Sequence, residues 1–173
     1  MGSFSGCKSP NDYWKQSLTL HGLWPQFTNG TWPETCTNEK FDEAAPEAVG
    51  MDTMNKFWPN VKQAPTSSSY TQFWEHEWTK HGTCTGFEQK KYFQTAIDNF
   101  VEAPSLIAKA YGKTVSKKAL VDAYGSVVVP ICKGKALSEV LICKDKESLK
   151  NIDCVKSVLN EGNCPDTIAV PAF

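Results

Sequence analysis

The sequence predicts an α+β fold in which a mainly antiparallel sheet is flanked by several helices and stapled by disulfides. Helical and strand-like segments are mixed along the chain, without the regular alternation that marks a parallel α/β sheet. The 11 glycines and 10 prolines indicate many turns and argue against a helical bundle. Seven cysteines are many for a chain of 173 residues kept in a reducing compartment.

The size and composition fit a single domain spanning residues 1–173. A chain of 173 residues can bury about 70% of its unfolded surface, which is enough to form a hydrophobic core. Its 40% hydrophobic and 21% charged residues lie within the range of globular domains. No apolar run approaches the roughly 18 residues of a membrane helix, and residues 1–6 lack the apolar core of a signal peptide. We therefore expect a soluble monomer without a membrane partner.

In the first half of the chain, local patterns predict one strand and two helical segments. Alternating polar and apolar side chains favour the strand, and Asn-Gly and Trp-Pro pairs mark the loop after it. A weak helical pattern is interrupted at Gly50, and Gly82 ends an aromatic-rich helix. The predicted elements are turns at 1–16, a strand at 17–21, a loop at 26–37, a weak helix at 41–58, a surface loop at 65–69 and a helix at 72–81.

The second half is predicted to hold two further helices and three strands. The first helix, 88–100, has apolar residues spaced for an amphipathic face. The second, 117–124, has Ser116 as its N-cap and Gly125 as its C-terminal stop. Segments rich in β-branched residues predict the strands, the first two of which flank a Lys-Gly-Lys turn. These strands are placed at 126–132, 137–143 and 167–170.

The net charge argues against a tight, stoichiometric nucleic-acid binder. Eighteen basic and 19 acidic residues give a formal charge of −1, so no global positive field is present. All 18 basic residues are lysines, so any phosphate contact depends on lysine, histidine or backbone N–H groups. The same balance is compatible with an enzyme that must release its product.

The cysteines indicate an oxidising compartment rather than a metal site. None of the seven forms a Cys-x-x-Cys pair, and the histidines are not spaced to complete a zinc knuckle. The odd number leaves one thiol over, and the most isolated is Cys7, which is either free or paired outside this sequence. A glycosylation sequon at Asn29 agrees with secretion. We expect a secreted or vacuolar/lysosomal protein that needs no metal and no cofactor.

All three histidines lie in two short segments rich in aromatic residues. On a helix, His76 and Lys80 lie about 40° apart, as do Glu77 and His81, so the four side chains line one stripe. The two histidines of this stripe are about 140° apart, which disfavours the metalloprotease motif H-E-x-x-H. The sequence has no G-x-S-x-G elbow, P-loop or G-x-G-x-x-G motif either.

Two imidazoles, a carboxylate and an ammonium group suit transfer within a phosphodiester of RNA. A base removes the 2′-OH proton, an acid protonates the departing 5′-oxygen, and imidazoles can do both near neutral pH. Lysine and a third histidine supply electrostatic stabilisation, while neighbouring aromatic rings offer surfaces on which bases stack. Each residue alone also has an ordinary structural explanation, as a loop histidine, a core aromatic or a solvated helix face. Their ordered co-occurrence favours catalysis.

The segment at 20–25 is LHGLWP and the segment at 74–84 is WEHEWTKHGTC. Both resemble the active-site segments of the RNase T2 family of secreted acid endoribonucleases, whose patterns are x-H-G-L-W-P and W-x-H-E-W-x-K-H-G-T-C. The Trp-Pro-Asn sequence at 58–60, the aromatic helix that follows and the four C-terminal cysteines also match the family plan. The resemblance covers nearly the whole chain from Cys7 onward and implies the RNase T2 fold.

The resemblance implies a role for each matching residue. His81 matches the family's general base and His21 its general acid. Glu77 and Lys80 match the pair that polarises the phosphate and stabilises the transition state, and His76 matches a histidine that helps hold the phosphate. The positions that match base-binding residues are Trp24, Gln26, Trp32, Asn60 and Phe73.

The family plan also implies a disulfide pattern and reveals one departure. The implied pairs are Cys36–Cys84 and, nested in the C-terminal part, Cys132–Cys164 around Cys143–Cys154. Family members begin with a core strand ending in a Trp-Pro motif and a cysteine, and this sequence has no match to it before Cys7. Relative to the family pattern, the domain is therefore expected to be N-terminally truncated.

The expected activity is metal-independent cleavage of single-stranded RNA by transphosphorylation through a 2′,3′-cyclic phosphate. One alternative is a catalytically inactive RNase T2-like storage or defence protein, but such a protein would typically have lost a catalytic histidine. The other is a non-enzymatic extracellular binding module, which explains the cysteines but not the histidine-rich helix. An assay for cyclic phosphate ends on cleaved RNA separates these functions.

Overall fold

The computed structural model describes residues 5–8 and 10–172, in which most helices precede the strands. The α-helices are α1 (Ala44–Glu47), α2 (Met51–Phe57), α3 (Gln72–Lys80), α4 (Gln89–Asp98), α5 (Ser105–Lys109), α6 (Lys117–Tyr124) and α7 (Lys156–Leu159). The strands are β1 (Lys113–Ser116), β2 (Val129–Lys133), β3 (Ala136–Leu141), β4 (Cys143–Lys144), β5 (Asn151–Ile152) and β6 (Thr167–Val170). Short 3-10 turns lie at Ser5–Lys8 and Gly82–Cys84.

The main sheet has four strands in the order β1-β6-β3-β2. The β1–β6 and β2–β3 pairs are antiparallel, and a single parallel bridge between Ala136 and Ala169 joins the two pairs. The strands β4 and β5 form a separate antiparallel ribbon. The predicted α+β class with a mainly antiparallel sheet is therefore confirmed.

The helical half packs around a cluster of large aromatic side chains. Trp58 after α2, Trp74 and Trp78 on α3, and Tyr92 and Phe93 on α4 are all at most 1% exposed. Their rings meet at tilted or edge-on angles, with centroids 5.4 Å apart for Trp58 and Phe93 and 5.6 Å for Trp78 and Tyr92. Such pairs stabilise a core beyond the burial of their area. Because both tryptophans of α3 lie in this cluster, one face of that helix is fixed against the core.

A second cluster joins the sheet to the helices α5 and α6. Ile107 of α5, Leu120 of α6 and Ile168 of β6 are fully buried in it. Leu18 packs against this cluster, whereas Leu20 packs against the helical one. The segment that leads to the first histidine therefore runs between the two cores.

Several predicted elements are confirmed in detail. The helix α6 has the predicted bounds, the Ser116 hydroxyl accepts a hydrogen bond from the Ala119 N–H at 3.1 Å, and Gly125 adopts the left-handed conformation at φ 69°. The strand β6 also has its predicted bounds, and α3 and α4 end within two residues of theirs. The weak helix at 41–58 is divided into α1 and α2 at Gly50, whose φ is 113°.

The predicted strand at 17–21 is wrong, since neither sheet includes these residues. The segment is held by a hydrogen bond from the Leu20 N–H to the Phe57 carbonyl at 2.7 Å and by its two leucines, which enter different cores. The alternation in the sequence thus reflects packing between two clusters rather than strand pairing. The helices α5 and α7, the strand β1 and the β4–β5 ribbon were not predicted. The strand β1 depends on its partner β6, which follows it by about 50 residues along the chain.

The three predicted disulfides, Cys36–Cys84, Cys132–Cys164 and Cys143–Cys154, are confirmed. The first has a sequence separation of 48, and closing a loop of that size stabilises a fold by about 4 kcal/mol in the chain-entropy model. Cys7 is a free thiol whose Sγ lies 3.6 Å from the Val61 carbonyl oxygen. No helix in the described part of the chain is long and apolar enough to cross a bilayer.

Candidate active site

Helix α3 and the residue after it carry the four predicted catalytic and phosphate-binding residues other than His21, and divide them between two faces. Glu77 is 1% exposed and His81 is 9% exposed, whereas His76 is exposed and Lys80 is partly exposed. The stripe expected from the helical period is therefore split into an inner Glu77–His81 pair and an outer His76–Lys80 pair. The inner pair is buried because the neighbouring face of α3, with Trp78, is packed into the helical core.

The end of α3 is anchored by the loop that carries Cys36. The Cys36–Cys84 disulfide ties this loop to the turn after the helix. The Thr35 N–H donates to the Lys80 carbonyl at 2.9 Å, which satisfies one of the free carbonyls at the end of the helix. His81 is the C-terminal cap, so this covalent and hydrogen-bonded anchor fixes the position of its imidazole.

The first histidine segment is brought to α3 by the helical core. The Trp58 indole N–H donates to the His21 carbonyl at 2.7 Å, so a fully buried side chain holds the backbone of this histidine. The chain then passes so close to the helix that a Cβ on Gly22 would overlap the Glu77 carboxylate and the Trp24 indole. Glycine is required at this position because any side chain would displace both groups.

The His21 imidazole lies between two carboxylates. Its Nε2 is 3.7 Å from Oε1 of Glu77, and its Nδ1 is 3.3 Å from Oε2 of Glu139 on β3. The rings of Trp24 and Phe73 pack against it, with centroids at 5.0 and 5.7 Å. The hydrogen bond to Glu139 is the largest cause that raises the pKa of His21, burial opposes it, and the Glu77 charge adds to it. This environment favours the imidazolium form.

The Glu77 carboxylate is buried beneath the site. Its Oε2 accepts a hydrogen bond from the Trp24 indole N–H at 2.8 Å. Burial is the main cause that raises the pKa of Glu77, and the Trp24 hydrogen bond and the His21 charge oppose it. Burial thus favours the protonated form of this carboxyl group.

The His81 imidazole has the opposite electrostatic environment. It packs against Trp24 with ring centroids 5.1 Å apart, and its buried Nδ1 has no hydrogen-bond partner among the described residues. Burial, followed by the charges of Lys80 and His76, lowers the pKa of His81 to about 4. His81 is therefore a neutral base over most of the acidic range, and the Trp24 indole contacts both it and His21.

The outer face of the site carries Lys80 and His76. The Lys80 Nζ lies 3.5 Å from Oε2 of Glu34, and both side chains are largely open to solvent. Partial burial is the main cause that lowers the pKa of His76, and the charges of Lys80, His21 and Lys62 lower it further. Over residues 5–8 and 10–172, no three His, Cys, Asp or Glu side chains converge to hold a metal ion.

Four of the five predicted base-binding residues are accessible. Trp24 and Phe73 flank His21, and Trp24 is 39% exposed. Trp32 is 58% exposed on the loop between the two histidine segments. The exposed Gln26 donates from its amide nitrogen to the Gly30 carbonyl at 3.3 Å, in the same loop.

The fifth predicted base-binding residue, Asn60, is only 6% exposed. Its amide nitrogen donates to the Tyr70 carbonyl at 2.9 Å, and its amide oxygen accepts from the Lys62 N–H at 3.1 Å. Both ends of the side chain are thus used to shape the loop between α2 and α3. The structure thus shows Asn60 in a positional role within this loop.

Two charged residues that act on His21, Glu139 and Lys62, were not predicted from the sequence. Glu139 is the only charged residue of β3, and an acid inside an otherwise apolar and small-residue strand was a detectable signal. No pattern distinguishes Lys62 from the other lysines of the chain. The exposed Phe27, 54% open to solvent beside Gln26, was also not singled out.

Comparison with known sequences agrees with this geometry. The model of the ribonuclease T2 family matches residues 3–154. Intracellular ribonuclease LX of Solanum lycopersicum is 33% identical over 175 residues, which cover 91% of this chain and 72% of that protein. Extracellular ribonuclease LE of the same organism is 30% identical, covering 89% of this chain and 73% of that protein.

Solved structures resemble the fold as well. RNase NT in complex with 5′-AMP superposes with a TM-score of 0.68 at 30% identity, covering 90% of this chain and 83% of that one. Ribonuclease MC1 from the seeds of bitter gourd gives a TM-score of 0.71 at 30% identity, covering 95% and 91%. Because the family match spans most of the chain and the relatives share its fold, this chain belongs to the ribonuclease T2 family.

Proposed function

We propose that this chain is an endoribonuclease that cleaves single-stranded RNA without a metal ion, through a 2′,3′-cyclic phosphate. The observation that carries the proposal is a pair of imidazoles, His21 and His81, whose pKa values are shifted in opposite directions around one indole. Environments that separate the pKa values of two groups in this way supply an acid and a base at the same pH. Family membership agrees with the same chemistry.

In the proposed reaction, neutral His81 removes the proton of the 2′-OH group. The 2′-oxygen forms a bond to phosphorus as the bond to the 5′-oxygen breaks, and the imidazolium of His21 gives its proton to that leaving oxygen. The products are a 2′,3′-cyclic phosphate and a free 5′-OH, and the two histidines have exchanged protonation states. Proton exchange with water, or hydrolysis of the cyclic phosphate in a second step, returns the two histidines to their starting forms.

The remaining polar groups would stabilise the negative charge of the phosphorane transition state. Lys80 and His76 lie on the outer face of α3, where Lys80 would supply a positive charge and His76 a hydrogen bond to the phosphate, without rearrangement during the reaction. The buried Glu77, with its raised pKa, can share a proton with a phosphate oxygen. The exposed rings of Trp24 and Trp32 offer stacking surfaces for bases.

For the base sites, we propose that Trp24, Phe73, Trp32 and Gln26 contact the nucleotide directly. Asn60 would act on base binding indirectly, through the loop that its amide holds in shape.

The protein is proposed to act outside the reducing cytosol, as a secreted or vacuolar enzyme. Three disulfides close its loops, and such bonds persist in oxidising compartments. One of the two tomato relatives is named an extracellular ribonuclease and the other an intracellular one. Localisation of the tagged protein would therefore distinguish secretion from retention in the cell.

The first test is cleavage of a single-stranded RNA oligonucleotide in the presence of excess EDTA. We expect full activity and products with 2′,3′-cyclic phosphate ends, identified by mass spectrometry. The control is the same oligonucleotide with one 2′-deoxy residue at the cleaved position, which lacks the nucleophile and should stay intact there. Loss of activity in EDTA with recovery on adding a divalent ion would overturn the mechanism, and no cleavage of RNA would favour an inactive family member.

The second test is the pH dependence of kcat/KM, which should be bell-shaped. The acidic limb should lie near pH 4, because His81 must lose its proton to act as a base and its pKa is lowered to about 4. The alkaline limb should lie above the ordinary histidine pKa of about 6.5, because the pKa of His21 is raised and the acid must stay protonated. The maximum thus lies on the acidic side of neutrality. A flat profile between pH 3 and pH 8 would contradict two-imidazole catalysis.

A further inference from the structure

We propose that Glu139 is a positioning residue for His21, whose carboxylate accepts a hydrogen bond from Nδ1–H and thereby directs Nε2 toward the substrate. The inference rests on the proposed function, because it concerns the histidine to which that function assigns the acid role. Glu139 adds a residue from the sheet to a site whose proposed catalytic groups come from α3, the residue after it and the segment around Gly22.

The geometry of the contact is that of a carboxylate–imidazole pair. Glu139 lies in the middle of β3, opposite Ile131 of β2, and its Oε2 is 3.3 Å from Nδ1 of His21, which precedes it by 118 residues. An ionised carboxylate can only accept a hydrogen bond, so Nδ1 must carry a proton. The other nitrogen, Nε2, then points to the side where Glu77 lies at 3.7 Å.

The pair is placed where it can affect catalysis without touching the substrate. The Glu139 side chain is 35% exposed and the His21 side chain is 48% exposed, so the imidazole keeps an open edge. With Nδ1 engaged, the proton that can reach a leaving 5′-oxygen is the one on Nε2. A carboxylate behind an imidazole fixes its tautomer and its orientation and stabilises the imidazolium form.

Charged groups on β3, on α3 and in the loop after α2 act on His21. Glu139 on β3 and Glu77 on α3 favour its protonated form, and Lys62, from the loop after α2, opposes it. The charge of His21 also lowers the pKa of His76 on α3, so the positive charges of these two imidazoles repel each other. Glu139 faces the charge of Lys133 on β2 as well, and the hydrogen bond to His21 is the first cause that lowers its pKa.

Glu139 therefore affects His21 in two ways. Its charge sets how far into the neutral range His21 stays protonated, while its hydrogen bond sets which nitrogen faces the substrate. If the pKa of His21 fell by one unit, the imidazolium fraction would be about tenfold lower at pH values above the pKa.

The experiment compares Glu139→Gln and Glu139→Ala with the wild-type protein. Glutamine keeps the shape and an amide oxygen that can accept from Nδ1–H but removes the charge, whereas alanine removes both. Glu147→Gln is the matched control, because it removes the same charge from the exposed turn between β4 and β5. Two kinds of measurement are made across pH 3–9. NMR follows the His21 Hε1 chemical shift, which is readily resolved because the chain has three histidines, and kinetic assays give kcat and KM for RNA.

In Glu139→Gln, the His21 titration and the alkaline limb of kcat/KM should both move to lower pH by the same amount, with KM at the pH optimum unchanged. Glu139→Ala should show the same shift and, in addition, a lower kcat at the pH optimum, since the orientation is lost as well. Glu147→Gln should match the wild type in all respects. Thermal unfolding of each variant is recorded first, and Glu139→Gln is the decisive variant if Glu139→Ala does not fold.

An unchanged His21 titration and an unchanged alkaline limb in Glu139→Gln would overturn the inference while leaving the proposed function intact. A shifted titration with an unshifted limb would also overturn it, since His21 would then not be the group that limits the rate at high pH. If the wild-type protein fails to cleave RNA, the proposed function fails. In that case the NMR titration alone decides whether Glu139 holds the imidazole.

Discussion

Alanine at His21 or at His81 is expected to lower kcat for RNA cleavage by about 10²–10⁴-fold, the range typical of losing an acid or a base. His21→Ala removes the proton that the leaving 5′-oxygen needs, and His81→Ala removes the base that accepts the 2′-OH proton. The pH profile of each variant should lose one limb: the alkaline one for His21→Ala and the acidic one for His81→Ala. His76→Ala is the matched control within α3 and should have a milder effect, mainly on KM, because its imidazole is exposed on the outer face.

A substrate with a better leaving group can distinguish the two roles. In a nucleoside 3′-(4-nitrophenyl phosphate), the departing phenolate needs no proton, so an acid is no longer required. His21→Ala should then recover most of the wild-type rate, whereas His81→Ala should stay impaired because the 2′-OH group must still be deprotonated. Equal losses on both substrates for both variants would contradict the assignment of acid and base.

Trp58→Ala is expected to lower the free energy of unfolding by about 3–5 kcal/mol, the usual cost of deleting a buried large aromatic side chain. Trp58 is fully buried, and its ring packs against Tyr92 at 6.0 Å and Phe93 at 5.4 Å. It is also the anchor of the first histidine segment, because its indole N–H holds the His21 carbonyl. The variant should therefore lose activity even where it is still folded.

Urea denaturation with the disulfides intact measures this effect, and two variants serve as controls. Trp58→Phe keeps a ring in the cavity but removes the indole N–H, so it should destabilise the fold less and still misplace His21. Trp32→Ala removes the same kind of side chain at a position 58% exposed, and it should change stability by no more than about 0.5 kcal/mol. Equal unfolding midpoints for Trp58→Ala and Trp32→Ala would contradict the role of Trp58 in the core.

Features that depend on near neighbours along the chain were predictable from the amino-acid sequence. The bounds of α6 follow from the Ser116 cap and from Gly125, which act within one turn of the helix. The position of α3 follows from its tryptophan spacing and the glycine after His81. The residues that carry the proposed chemistry were found because they lie together in two short segments, and the disulfide pairs came from the resemblance to a family rather than from cysteine spacing.

The electrostatic character of these residues depends on how distant segments pack together. His21 and His81 have the same side chain, and their pKa values diverge because β3 brings Glu139 to one while burial beside Lys80 surrounds the other. Local pattern likewise predicted a strand at 17–21, where the chain instead runs between two cores. Capping and helical periodicity are interactions over a few residues, so the sequence reveals them. Burial and charge pairing depend on segments far apart in the chain, such as Glu139 and His21, so they are fixed only when the sheet and the helices pack together.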